Sequence, residues 1–415
     1  AKYGKVRDVV YEIDAVTMQI KAANLKTIRS LKFVAAANPD AERTGVPVDS
    51  VVAEDFSDGL GTWNLDVINV TDPGFDNRQV EQDGTGVFVA VLDTGLVEDW
   101  PNYFPQERIA LEYGIAFGGG GGEVGTVSTQ PDKWQRDTNS HGTHVTSTII
   151  GYQFGVNPIN GVAPMVKIIP VKVLNQNGSG WSSVIARGIT YVADLKAGPL
   201  ADYPVVINMS LGGSVLDAVE EAAIDYAIEQ GVIIVASAGN AGEAGMGYPG
   251  AYAPVISVAA SGWVGEWMSV MTDEGPNNRI WWYAIDDPEP NNPDYYYITD
   301  FSSRALDGQD LDVAAPGSWV LGAYQTNHGQ VTYYYLGGTS MASPHVAGIV
   351  ALMAEKKPAL TALEAETILT DTAIPLPAGC RTVYQPTGAT EYICWDDDAT
   401  GSGLTMADAA LKAIP

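Results

Sequence analysis

From about residue 86 onward, short apolar runs alternate with longer stretches in which apolar positions recur every three or four residues. Residues 87–92, 166–174, 205–209, 232–236 and 255–259 are rich in β-branched side chains and apolar at odd and even positions alike. That pattern predicts parallel strands covered on both faces. Between and after them, residues 141–152, 182–196, 215–230, 339–355 and 362–370 carry helical spacing. Strand and helix alternating in this way predict an α/β fold, a three-layer sandwich around a largely parallel central sheet. Functional groups in such sheets collect beyond the carboxyl ends of the strands, where Asp93, Asn240 and the segment Ser210-Leu211-Gly212-Gly213 all fall.

Four stretches depart from this rhythm. The first fifty residues read as a small α+β unit, with strands at 9–13 and 16–20, a helix at 22–30 and a last strand at 31–35. It is too short for a generous core of its own and is expected to lean on the main domain. Residues 113–138 hold five consecutive glycines, 118–122, and read as a surface loop. Residues 262–300 gather Trp263, Trp267, Trp281, Trp282, Tyr283 and Tyr295 to Tyr297 among Asp286, Asp287, Glu289 and Asp294. So many aromatic rings predict a folded insertion packed on the core, with a substrate-binding flap as the alternative. Near the C-terminus, Cys380 and Cys394 share one loop and read as a disulfide, with two buried thiols as the alternative. Closing a loop of that length contributes about 3 kcal/mol by restricting the unfolded chain, and the bond persists only in an oxidising compartment.

Composition narrows the class further. Hydrophobic residues make up 46% and charged residues 17%, and no unbroken apolar run reaches membrane-spanning length. Fifty acidic against 22 basic side chains give a net charge of −28, which repels nucleic acid and anionic membranes. A signal peptide, if one exists, is not part of these 415 residues.

Three motifs supply a carboxylate, an imidazole and a hydroxyl: Asp93-Thr94-Gly95 closing an apolar run, His141-Gly142-Thr143-His144, and Gly338-Thr339-Ser340-Met341-Ala342-Ser343-Pro344. A serine hydroxyl is a poor nucleophile unless a base lies within reach and a third group orients that base. Only four histidines exist, His141, His144, His328 and His345, so candidates for the base are few. The spacing of His141 and His144 would also suit a metal pair, but no carboxylate completes a zinc motif. His144 and His345 therefore read as structural. Ser340 opens an apolar helix, whose positive end favours a developing anion. Asn240, in Ala238-Gly239-Asn240, offers a side-chain amide to an oxyanion.

The order Asp, His, Ser along the chain, together with these motifs, resembles the subtilisin-like serine proteases, the subtilases. Gly161-Val162-Ala163-Pro164, Ile207-Asn208-Met209-Ser210-Leu211-Gly212-Gly213 and Tyr248-Pro249-Gly250 extend the likeness across roughly residues 60–415. The resemblance implies an endopeptidase forming an acyl-enzyme, with Asp93, His141 and Ser340 as triad and Asn240 as oxyanion donor. It also implies that Gly178-Ser179-Gly180 and Ser210-Leu211-Gly212 bind a substrate peptide as an added strand. Ala238, Gly239 and Gly247 would then line a main pocket open to large apolar or aromatic residues. A secreted monomer acting on protein or peptide substrates follows from the likeness, as do structural Ca2+ ions on carboxylate-rich turns such as Asp396-Asp397-Asp398. The calcium loop of many relatives, 152–160 here, keeps Asn157 but few other ligands.

Residues 3–40 resemble the second half of a subtilase propeptide. This divides the chain into a propeptide-like segment and linker, 1–50, and a catalytic domain, 51–415, with insertions at about 113–138, 262–300 and 376–402. The segment is either the remnant of a zymogen or a permanent support. A catalytically silent binding scaffold is the alternative to the protease. An esterase is disfavoured because no Gly-x-Ser-x-Gly elbow occurs.

Overall fold

The structure, a computed structural model, describes residues 3–45, 49–52, 62–72, 78–119, 126–155, 157–267, 270–272, 275–277 and 291–415. At the N-terminus, strands β1 (Gly4–Val10) and β2 (Ala15–Ile20) pair antiparallel and lead to a short helix, α1 (Leu25–Arg29). The strand expected at 31–35 does not form. Its apolar residues lie in turns, with Leu31 N–H donating to Ile28 O and Val34 N–H to Leu31 O, and Phe33 is exposed. An apolar run becomes a strand only where a neighbouring edge offers backbone partners. The chain finds that partner later, at β3 (Glu42–Thr44) and β4 (Asp49–Val52), both of which pair with the main body.

The main body runs β5 (Phe88–Asp93), β6 (Ile115–Gly118), β7 (Ser128–Thr129), α2 (His141–Ile150), β8 (Lys167–Lys172), β9 (Ser179–Trp181), α3 (Ser182–Ala197) and β10 (Val205–Met209). It continues through α4 (Ala218–Glu229), β11 (Val232–Ser237), β12 (Ile256–Trp263), β13 (Tyr296–Ile298), β14 (Val313–Pro316), β15 (Tyr333–Gly337), α5 (Thr339–Lys356) and α6 (Ala362–Thr372). A hairpin of β16 (Gly379–Tyr384) and β17 (Thr390–Trp395) follows. Nine strands form the central sheet in the order β13-β12-β11-β10-β5-β8-β6-β7, with β14 beside β12. Every pairing is parallel except those of β13 and β7, which sit at the ends.

Alternation along each strand explains why the runs are apolar throughout. Val89 and Val91 face one layer with α2 and α5, whereas Phe88, Ala90 and Leu92 face the other with α3 and α4. The result is the expected three-layer α/β sandwich.

The departures from rhythm keep the expected disulfide but differ from the sequence reading in their strands. The stretch 113–138 is not simply a loop: β6 and β7 extend the sheet and Trp134 is buried, while residues 120–122 of the glycine run lie outside the described residues. The strand expected at 255–259 continues to Trp263, and β13 pairs against its end, so both flanks of the aromatic-rich stretch belong to the sheet. Trp267 packs edge-on against Trp319 and Tyr335. Trp281, Trp282, Tyr283, Asp286, Asp287 and Glu289 lie outside the described residues. The cysteines sit directly opposite each other on β16 and β17 rather than in an open loop, and Cys380 and Cys394 are bonded.

Candidate active site

The parallel strands deliver the predicted groups to one edge of the sheet. Asp93 is the last residue of β5, Ser210 follows β10, and Ala238, Gly239 and Asn240 follow β11. His141 begins α2 and Ser340 lies in the first turn of α5. His141 Nδ1 lies 2.9 Å from both carboxylate oxygens of Asp93, and both side chains are fully buried.

The turn that aims His141 depends on a residue the sequence reading passed over. The carboxylate of Asp137 accepts from Asn139 N–H (2.9 Å), Ser140 N–H (2.7 Å) and Thr94 Oγ1–H (2.7 Å). Thr94 Oγ1 accepts in turn from Gly142 N–H at 3.0 Å. Asp137 thereby ties the strand end carrying Asp93 to the helix start carrying His141. Burial pushes its carboxyl above the usual range, against the pull of Lys172 nearby. An acidic residue three positions before a helix-opening Ser-His pair was the available signal.

Ser340 is buried at 3% exposure. Its Oγ donates to Ser210 O at 3.3 Å, and His141 Nε2 has no hydrogen-bond partner among the described residues. The hydroxyl thus rests on the cleft wall rather than on the ring. Nucleophile–base contacts commonly tighten only once substrate is bound. Ser210 Oγ donates to Ser340 O (2.8 Å), Asn208 Nδ2–H to Ser210 Oγ (3.1 Å) and Ser343 Oγ–H to Asn208 Oδ1 (2.6 Å), which pins the start of α5 to the end of β10. Gly338, which caps this helix, has φ +153°, a conformation that side chains disfavour.

Asn240 Oδ1 accepts from Thr339 N–H and Thr339 Oγ1–H, both at 2.9 Å, which fixes the amide and leaves its Nδ2 hydrogens as donors. Gly247 N–H donates to Ala238 O at 2.8 Å, and a Cβ at Gly247 would stand 3.5 Å from Gly213 N and 3.8 Å from Gly212 Cα. Leu211 is buried behind this wall. Ala238, Gly239, Gly247 and Gly212 therefore lie together at one wall.

The segments 178–180 and 210–212 already hold a strand. In β3, Ser179 pairs with Thr44, Gly180 with Arg43 and Trp181 with Glu42, all antiparallel. Thr44 N–H donates to Gly212 O (3.0 Å), Gly212 N–H to Thr44 O (2.9 Å) and Gly45 N–H to Gly178 O (2.9 Å). A Cβ on Gly45 would lie 2.6 Å from Ser210 O and 3.2 Å from His141 Cε1, so the chain reaches the imidazole at this residue. On the other side β4 pairs with β15, Asp49 opposite Gly337, three residues before Ser340.

The other two buried histidines are structural. His345 Nδ1–H donates to Met341 O (2.8 Å) and its Nε2 meets Asn64 Nδ2 at 2.8 Å, while His144 Nε2–H donates to Val320 O at 3.0 Å. His144 Nδ1 has no partner among the described residues, which satisfy only half of this imidazole. Burial holds both rings neutral, depressing His144 to about 3 and His345 to about 4. An ordinary imidazole is half protonated near pH 6.5. NMR of the ring nitrogens is expected to show both rings in their neutral tautomers at pH 5, and a protonation midpoint above 6 for either would contradict this burial.

A parallel sheet presenting a carboxylate, an imidazole, a hydroxyl and an amide at its carboxyl edge, beside a groove that holds an extended strand, is the architecture of a serine endopeptidase. Residues 84–404 match the subtilase family. The chain is 32% identical over 274 residues to thermitase of Thermoactinomyces vulgaris, covering 66% of this chain and 77% of that protein. It is 32% identical over 350 residues to subtilisin Savinase of Lederbergia lenta, covering 84% and 98%. The crystal structure of fervidolysin from Fervidobacterium pennivorans, a keratinolytic enzyme related to subtilisin, superposes with a TM-score of 0.69 at 27% identity, covering 99% of this chain and 58% of that one. The chain belongs to the subtilase family and is a serine endopeptidase.

Proposed function

We propose that Ser340 is the nucleophile, His141 the general base, Asp93 the group that orients and stabilises the imidazolium, and Asn240 the oxyanion donor. Ser340 Oγ attacks the scissile carbonyl while its proton passes to His141 Nε2. The tetrahedral oxygen is received by Asn240 Nδ2–H, His141 protonates the leaving amine, and water releases the acyl group by the same steps in reverse. The observation that carries this reading is the strand at residues 42–45. An extended peptide laid between 178–180 and 210–212 reaches His141 at Gly45. A sulfonyl fluoride reagent is expected to give one adduct, mapped by mass spectrometry to Ser340 and absent from Ser340→Ala; an adduct on another residue overturns the assignment.

The same strand supports a zymogen division, with residues 1–50 acting as an inhibitory segment that docks on the catalytic domain. Asp40 accepts from Ser183 N–H and Ser182 Oγ–H, both at 2.9 Å, and so caps α3. Asn38 Nδ2–H donates to Asp217, the cap of α4, at 2.8 Å, and Arg187 pairs with Asp8 at 3.3 Å. Large apolar side chains are the preferred residues before the scissile bond, because Gly247 adds no bulk to the pocket wall. Secretion of a single-chain enzyme fits the disulfide and the absence, among the described residues, of a helix long and apolar enough to cross a membrane.

Structural calcium belongs to this reading at a place the sequence did not indicate. Asp310, Asp312 and Glu366 bring one carboxylate oxygen each to within 4.8 Å of one another, hard donors that suit Ca2+. Asp396, Asp397, Asp398 and the hairpin at 152–160 contribute nothing to that group. Burial, with Asp312 and Asp310 nearby, raises Glu366 to about 7, and burial raises Asp312 to about 6. A bound cation would relieve this repulsion and hold the segment between β12 and β14 against α6. A carboxyl with a raised folded pKa costs nothing below its ordinary value and the full penalty above the raised one. In chelator at pH 8, Glu366→Gln is therefore expected to melt above the wild type, whereas millimolar Ca2+ raises the wild-type Tm and leaves the variant little changed. Identical wild-type melting in chelator and in Ca2+ would exclude a calcium role here.

A further inference from the structure

The side chain of Arg43 shows what the cleft selects. Although it belongs to a strand lying in a surface groove, Arg43 is 0% exposed. Its Nε donates to Glu220 Oε2 at 3.0 Å, Nη2 donates both to the same carboxylate and to Val215 O (3.0 Å), and Nη1 donates to Glu42 O at 3.1 Å. Glu220 is itself 0% exposed, in the first turn of α4, and holds no salt bridge besides Arg43 among the described residues. Gly213 makes room for the guanidinium: a Cβ there would stand 2.8 Å from Arg43 Nη1.

With the reacting carbonyl of a substrate taken one residue beyond the position of Gly45, which reaches His141, Arg43 marks the third residue upstream of the acyl residue, P4. Resting on the protease reading, we infer that Glu220 makes this P4 subsite selective for arginine in substrates. The neighbouring Asp217, which belongs to the catalytic domain, adds negative field, and with β3 in place burial lifts Glu220 to about 7 even with Arg43 opposing the shift. Withdrawal of β3 takes away the cation paired with Glu220, and a peptide that fills the groove in its place covers the carboxylate again. A peptide that brings a guanidinium restores the paired state, and one with an apolar side chain leaves the charge desolvated. The fork geometry favours arginine over lysine, which offers a single point charge in place of two aligned donors.

The test uses the full chain and two fluorogenic peptides, acetyl-X-Thr-Gly-Phe amides in which Thr-Gly copies residues 44 and 45 and X is arginine or its neutral isostere citrulline. Followed in one tube, the two share whatever fraction of molecules has an open cleft, so their kcat/KM ratio does not depend on that fraction. Arginine is expected to be preferred about 10- to 100-fold, the range for a hydrogen bond to a charged group. In Glu220→Gln the ratio is expected to fall close to one. A wild-type ratio near one, with both peptides hydrolysed, overturns the Glu220 assignment and leaves the protease reading intact. A preference that survives in Glu220→Gln also overturns it. Arg43→Ala, which loses the contact holding β3 in the groove, serves as a more open chain; hydrolysis of neither peptide by this variant or the wild type removes the protease reading and the inference with it.

Discussion

Ser340→Ala is expected to lower kcat/KM on a peptide substrate by about 10^6-fold, the loss typical of removing the nucleophile from a serine protease. The reason is local: Ser340 Oγ is the hydroxyl that meets Ser210 O at the start of α5, on the wall that Gly45 and His141 also reach. The fold is expected to survive, because among the described residues Ser340 Oγ makes only one long bond, 3.3 Å to Ser210 O, and the helix start is held instead by Ser210, Asn208 and Ser343. Circular dichroism and melting should match the wild type. Residual activity about 10^3-fold above the uncatalysed rate should persist, supplied by the cleft and by Asn240. Adding His141→Ala to this background is expected to cost almost nothing more, since the two groups act as one unit. A loss below about 10^3-fold would mean that another residue is the nucleophile. If the N-terminal segment is removed by the chain's own activity, the alanine variant should also stay at 44.0 kDa where the wild type shortens.

The second large effect is expected at Asp93→Asn, about 10^4-fold in kcat. Asp93 presents two carboxylate oxygens 2.9 Å from His141 Nδ1 and so keeps the ring proton on that nitrogen. In the proposed mechanism His141 Nε2, which has no hydrogen-bond partner among the described residues, is then the lone pair that accepts the serine proton. An asparagine turning its amide hydrogens toward Nδ1 stabilises the other tautomer, and the proton moves to Nε2, where it blocks the base. Asp93 Oδ1 also accepts from Thr94 N–H at 2.6 Å, a bond that asparagine's oxygen can keep, which favours the harmful orientation. The loss should appear in kcat far more than in KM, because the groove is untouched. A drop confined to KM would show that Asp93 serves only to shape the cleft.

The hydrophobic pattern carried the five adjoining parallel strands β12-β11-β10-β5-β8 and the five helices α2 to α6 to within a few residues. The run at 205–209 is β10 without adjustment, and the helix expected at 339–355 ends one residue later. Where the ends moved, a local cause is visible. The helix expected to start at 215 begins after Asp217, whose side chain accepts from Val219 N–H and Glu220 N–H. The helix expected to reach 152 stops at Ile150, because Gly151 takes φ +77° and turns into a hairpin strand. The motif residues Asp93, His141 and Asn240 were legible because their chemistry is tied to strand ends and helix starts, which local sequence specifies.

By itself, then, the sequence determined the three-layer fold and the family and picked out the side chains proposed to react, since these follow from apolar periodicity and from residue types at fixed offsets. Only the tertiary structure decided where residues 42–45 go. Strand addition is driven by backbone hydrogen bonds that carry no side-chain signature, and Glu42-Arg43-Thr44 has no apolar alternation to announce it. It also decided that Arg43 and Glu220, which look like solvated charges 177 residues apart, are both buried and joined. It likewise brought the carboxylates of Asp310, Asp312 and Glu366 together, of which Asp312 alone is buried. A charge's environment is set by whatever the fold packs around it, and that packing is long-range.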